Sequence, residues 1–356
     1  MITKRSANFL SYLHSFRGFA IINIVAGHAV SAMYLAAYHK YNWSDPILIT
    51  NEIFFNHCTL YFTLISGLLF SSVLKEKSYN NFFTNKILYV FLPYLFFTLL
   101  YSVVKFQRYN FIYIDRIEHV FKNLPTNMVF GGANFVLWYI PVLFGLYILT
   151  PLFNFLLRHK KQTAILIWLI ILIPLVSSGM KFPTIYGLII GKIIYFSGAY
   201  VLGMYWGANL EENINWLKDQ LIYILVCAVV STSVLYCLHY YDIDKMAEIH
   251  VQDSVYYIQK ICLAIIAIIF FKQSGNKQPT WLTKVAADST PIYFIHGAIV
   301  FSFASLFLFK MNDVYTAFNV FIGAIGLLFL TIALSMLITF LIKKIFRKKS
   351  RMIIGA

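Results

Sequence analysis

The sequence predicts an all-α polytopic membrane protein with about ten transmembrane helices, N- and C-termini cytoplasmic, and no soluble domain. Three observations predict it. Of 356 residues, 60% are hydrophobic and only 12% charged, with a mean hydropathy of +0.72, which is more apolar surface than a soluble fold can bury. Apolar runs long enough to span recur near 9–35, 52–73, 87–106, 135–157, 162–178, 184–206, 219–238, 254–271, 289–309 and 315–342. Lys and Arg then fall about two to one on the side that holds Lys4, Arg5 and the basic run from Lys343 to Arg351, as the positive-inside rule requires.

These boundaries divide the chain into a cytoplasmic N-terminus (1–8), a membrane domain (9–342) and a basic cytoplasmic tail (343–356). The net charge of +15 follows from that asymmetry. It points to the lipid bilayer as partner, with the tail on anionic headgroups, rather than to nucleic acid. Lys4 and Arg5 before an apolar run resemble a signal peptide, but Arg17 interrupts the run, so the first span is read as uncleaved. Cys58, Cys227, Cys237 and Cys262 lie in or at apolar segments, at spacings that suggest neither a metal site nor a disulfide framework.

The first span carries two polar groups in apolar surroundings, Arg17 and His28. Eleven positions at ~100° each come to about three turns plus 20°, so both share one helix face, roughly 16 Å apart along the axis. Ionisable groups at such depth face the protein interior and have a task, or else Arg17 snorkels to the interface and His28 bonds a neighbouring backbone. His14 shares roughly the same face. An aromatic outer loop follows (Tyr38, His39, Tyr41, Trp43), then Ser66-Gly67 in the second span, a small pair suited to close helix packing.

Lys86 opens the third span, as an anchor or as a phosphate ligand. Between the third and fourth spans, Ile114, Ile117, Phe121 and Leu124 recur at helical spacing until Pro125, predicting an amphipathic outer helix within 107–134. The fourth span opens with Phe135, and its Pro141 is expected to kink it or free a carbonyl. Trp138 and Tyr139 read as interfacial anchors or as stacking groups for a sugar-like ligand. The sixth span is glycine-rich (Gly187, Gly191, Gly198, Gly203, Gly207), and an acidic outer loop, Tyr241–Asp253, follows the seventh. Lys260 is a second intramembrane cation, and Tyr293 and His296 share a face of the ninth span at i, i+3.

In register along the chain, four features resemble the membrane acyltransferase-3 family. They are Ser15-Phe16-Arg17-Gly18 with His28; Tyr61-Phe62 through Ser66-Gly67; Leu137-Trp138-Tyr139 with Thr150-Pro151-Leu152; and Ser289 through Tyr293 to His296. Tyr195-Phe196-Ser197-Gly198 through Gly203 resembles its glycine-rich sixth span. The likeness covers about residues 10–345. It implies an O-acyltransferase in the cell membrane (bacterial cytoplasmic membrane). Such an enzyme moves an acyl group, usually acetyl, from cytoplasmic acyl-CoA to a hydroxyl of a glycan or lipid-linked sugar. Acetyl-CoA would be a co-substrate, with no permanently bound cofactor. The resemblance further implies Arg17 and His28 as the functional pair. It departs at the third span, where Ile87 and Val90 stand in place of an Arg-x-x-Arg pair before Pro93 and leave only Lys86.

Acyl transfer needs a base for the acceptor's proton and positive charge near the donor. His28 suits the base. Arg17, with His14 and Lys86, suits the coenzyme A phosphates, and Trp138, Tyr139, Tyr293 and His296 suit the acceptor. The rival is an exporter or flippase of a glycan or small molecule, using Arg17, His28 and Lys260 as relay groups. The lack of internal repeats and of intramembrane carboxylates weighs against it.

Overall fold

The protein is described from a computed structural model covering residues 4–38, 42, 44–74, 78–106, 112–114, 117–177, 185–246, 249–275, 278–308 and 316–356. Its elements run α1 (Lys4–Tyr38), α2 (Pro46–Phe55), α3 (Thr59–Leu69), α4 (Tyr79–Lys86), α5 (Leu92–Val103), the antiparallel pair β1 (Val104–Phe106) and β2 (Ile112–Ile114), then α6 (Ile117–Phe130). The chain continues as α7 (Tyr139–Arg158), α8 (Ala164–Leu172), α9 (Pro174–Ser177), α10 (Ile185–Ala208), α11 (Leu210–Asp219) and α12 (Leu221–Tyr240). A second small ladder, β3 (Lys245–Met246) with β4 (Ile249–His250), precedes α13 (Val251–Ser274). Last come α14 (Thr280–Ala287), α15 (Ser289–Leu308), α16 (Ala317–Phe346) and α17 (Ser350–Ile354).

Among the described residues, eight helices are long and apolar enough to cross a membrane, against the ten expected. In the fifth predicted span α8 holds nine residues and α9 begins at Pro174, whose missing N–H interrupts the ladder. In the ninth, Ser289–Ala304 is apolar but shorter. The second span starts early, at Pro46, because Asp45 caps it by accepting from the Ile47 N–H at 2.8 Å. It breaks at His57, a non-glycine residue at φ 58°.

The chain divides into two compact units. One comprises Met1–Ala20, His57–Phe83 and Val142–Pro279; the other comprises Ile21–Asn56, Thr84–Pro141 and Thr280–Ala356.

In the first unit α3 lies backbone-to-backbone on α10. A Cβ on Gly67 would run into the Tyr200 carbonyl, one on Gly203 into the Leu64 carbonyl, and one on Gly207 would stand 2.6 Å from the Leu68 carbonyl. The expected small-residue packing is therefore a specific crossing, in which every added methyl meets main chain. Thr150 donates to the Leu146 carbonyl and accepts from the Tyr200 hydroxyl at 2.8 Å, joining α7 to α10. Asp244 and Asp253, from the predicted acidic loop, pair with His250 and His57 at 3.1 and 3.3 Å. Lys260 is fully buried, donates to Gln259 at 3.0 Å and stands over the Tyr256 ring. All four cysteines are free thiols.

In the second unit the latter part of α1 packs on α2, with Asn51 donating to Ser31 at 2.9 Å. A π-helical turn, Ile87–Phe91, joins α4 to α5, and the Leu92 N–H reaches back five residues to Ile87. That wider turn absorbs Pro93, which has no N–H to give. The Tyr94 hydroxyl donates to the Met128 carbonyl at 2.6 Å and Asn127 donates to Ser102 at 3.1 Å, so α6 is fastened to α5.

A helix does occupy part of the predicted amphipathic segment, with different bounds. Residues 112–114 pair as a strand, Asp115 and Arg116 lie outside the described residues, and the helix runs through Pro125 to Phe130. Ile117 and Phe121 of the predicted apolar stripe are 75% and 69% exposed, while Val120 is buried.

Candidate active site

Five of the predicted site residues come together in the second unit as one run of rings. Trp138 and Tyr139 have ring centres 6.0 Å apart, Tyr139 and Tyr293 6.2 Å, Tyr293 and His296 5.8 Å, and His296 and His28 5.3 Å at 30°. Phe135 extends the run, edge-on to His28 at 4.9 Å and to Phe301 at 4.8 Å.

The segment that brings these rings to α15 is a turn, not the start of a helix. Residues 132–138 are turn and bend, and α7 begins only at Tyr139. The fourth span therefore starts four residues later than expected. Gly131 makes this route possible: it sits at φ +68°, and a Cβ there would stand 2.5 Å from the Trp138 backbone. Asn134 then stabilises the turn, its carbonyl accepting from the Leu137 N–H at 3.0 Å. Pro141 accordingly falls in the first turn of α7, where it neither kinks the helix nor frees a carbonyl.

Two contacts seat the turn on α15. The Tyr293 hydroxyl donates to the Val136 carbonyl. Gly297, next to His296, leaves the space taken by Asn134 and Val136, both 2.8 Å from where a Cβ would be. Phe135, Asn134 and Gly297 were not singled out as site residues. The signals were present in the sequence, as Gly131-Gly132 with Asn134 ahead of an apolar run and a Gly directly after His296.

His296 is fully buried and its tautomer is fixed. Nδ1 lies 2.7 Å from the Tyr293 carbonyl and 3.0 Å from the Ile292 carbonyl, and two acceptors require it to carry the proton. Nε2 of the neutral ring is then a bare lone pair, and among the described residues no hydrogen-bond partner meets it. His28, half-buried, lies against that ring. A buried acceptor without a donor costs about 1–3 kcal/mol, so an arriving hydroxyl that donates to it recovers that cost.

The remaining predicted residues occupy other places. Arg17 and His14 lie on the part of α1 that belongs to the first unit, both half-buried. They are held near Phe16, whose ring packs on Tyr61 at 5.6 Å, and Tyr147 lies within electrostatic reach of Arg17. Lys86, half-buried, ends α4 just before the π-helical turn. His39, Tyr41 and Trp43 of the aromatic loop lie outside the described residues.

Residues 10–340 match a family model described as an acyltransferase domain, Acyl_transf_3. The chain belongs to the membrane acyltransferase-3 family. No curated protein matches it, and no solved structure does. Family membership makes it a multi-pass membrane acyltransferase.

Proposed function

We propose that this acyltransferase moves an acyl group, acetyl above all, from cytoplasmic acyl-CoA to a hydroxyl of a cell-surface glycan or lipid-linked sugar, with His28 as general base. The observation that carries the reading is the buried Nε2 of His296, without a hydrogen-bond partner among the described residues, beside the His28 ring.

In this mechanism a hydroxyl of the acceptor adjacent to the reacting one donates to His296 Nε2 as the sugar enters, which sets the reacting hydroxyl at His28. The neutral imidazole of His28 takes the reacting hydroxyl's proton as its oxygen attacks the thioester carbonyl. The tetrahedral intermediate collapses by breaking the carbon–sulfur bond, and the imidazolium returns the proton to the departing thiolate. Trp138, Tyr139 and Phe135 offer ring faces suited to stacking on a pyranose. Arg17, eleven residues before His28 on α1, with His14 and Lys86, supplies positive charge for the donor's phosphates. Placement in the bacterial cytoplasmic membrane, with both termini inside, completes the proposal.

The test is transfer of labelled acetyl from acetyl-CoA into the glycan or lipid-linked sugar fraction of membranes carrying the chain. The label should be released by mild alkali, as an O-ester is, and should be absent with His28→Ala at equal protein level. Full labelling by His28→Ala would remove His28 from the base role. No labelling of any fraction by the wild type would favour the exporter.

A further inference from the structure

The basic run that ends the sequence is folded back onto the second unit. Arg347, a non-glycine residue at φ 49°, reverses the chain after α16, and a 3-10 turn leads into α17. α17 packs on the π-helical turn Ile87–Phe91, on α5 and on α15. Ile354 is fully buried, and Gly355 fits against Thr290 and the Tyr89 carbonyl. The Ser350 hydroxyl lies 2.7 Å from the Arg347 carbonyl and 2.8 Å from the Ala356 carbonyl, closing the loop on itself. Lys343 pairs with Asp288 at 2.6 Å.

This fold-back concentrates charge. Lys344, Arg347, Lys348, Lys349 and Arg351 are all exposed, and among the described residues none has a carboxylate within salt-bridge distance. The Arg351 guanidinium lies over the Tyr89 ring at 4.1 Å. Stacking fixes the plane of an Arg fork and leaves its N–H edges free, which is the geometry that grips a phosphate from two donors. Lys86 precedes Tyr89 by three residues, so two cations from separate parts of the sequence serve one stretch.

We propose that α17 and the turn before it, with Arg351 stacked on Tyr89 as the principal contact, form the binding site for the 3′-phosphate of the acyl-CoA donor. The inference rests on the donor reading above. It accounts for how the chain binds a polyphosphate donor with Ile87 and Val90 apolar. A lipid headgroup offers the same phosphomonoester or diester chemistry. Coenzyme A is favoured because Ile354 is spent inside the protein rather than in a bilayer. It is also favoured because α17 rests on α15, where Thr290 lies about 9 Å along the helix from His296.

Binding of coenzyme A and of 3′-dephospho-coenzyme A to the full chain in neutral-lipid nanodiscs tests it, wild type beside Arg351→Gln. The wild type should bind coenzyme A about tenfold more tightly than the dephospho form. Arg351→Gln should lose that preference and leave dephospho binding unchanged. Equal loss for both ligands would make Arg351 merely structural, and an unchanged preference would overturn the site. The same pair in anionic nanodiscs separates the sources. If Arg351→Gln alters only the response to anionic lipid, the ligand is a headgroup and the proposal fails. A wild type that binds neither nucleotide would defeat the donor reading itself, a result distinct from failure of Arg351 alone.

Discussion

The rings of His28 and His296 lie 5.3 Å apart, and the two main-chain carbonyls that hold Nδ1 of His296 leave its Nε2 as a fixed acceptor. Replacing His296 by Phe keeps the ring but removes that acceptor. Acceptor-dependent transfer should fall by at least about tenfold, the worth of one hydrogen bond that positions the acceptor, with donor binding unchanged. Parallel assays of transfer and coenzyme A binding check it, and a loss of both would mark His296 as structural.

Tyr293→Phe removes the donor to the Val136 carbonyl. The turn over 131–138 should loosen, costing about 1–3 kcal/mol for the carbonyl left buried. Thermal unfolding in detergent reads the stability. Transfer should fall with it, because Phe135 and Trp138 are carried by the same turn.

Gly297→Val would force Asn134 and Val136 away from α15. Overpacking of this kind costs about 1–3 kcal/mol. Activity should fall more than stability, since the displaced residues flank Phe135. Retained transfer at wild-type rate would show that the turn does not serve the site.

Gly203→Leu addresses the first unit alone. The α3–α10 crossing has main chain directly where the side chain would go, so folded yield should drop sharply. Pro141→Ala is the contrasting control: a proline in the first helical turn gives up no hydrogen bond, and its loss should change stability by no more than about 0.5 kcal/mol.

Much of this arrangement was legible in the sequence because membrane helices announce themselves by length and hydropathy. It also showed because polar residues stand out against that background. Arg17, His28 and His296 could be found in this way, and so could Gly203 and Gly207. What could not be read was the local geometry at helix ends. Phe135 looked like the first residue of a span because apolar periodicity continues across it. The turn is fixed instead by a positive φ at Gly131 and by contacts with α15, over 150 residues away in sequence. Pro125 and Pro174 show the same limit: one lies inside a helix that continues, while the other coincides with a break. The docking of Ile354 was equally hidden, since a basic run beside apolar residues reads as a lipid anchor until its partner surface is known.

The most direct test of the central claim is acetyl-CoA turnover by the purified chain with its acceptor fraction, wild type beside His28→Ala, with coenzyme A binding read in the same samples. General base catalysis by His28 predicts a fall of at least about 10²-fold in turnover while the variant still binds coenzyme A. Turnover by His28→Ala at the wild-type rate, with binding intact, would contradict it.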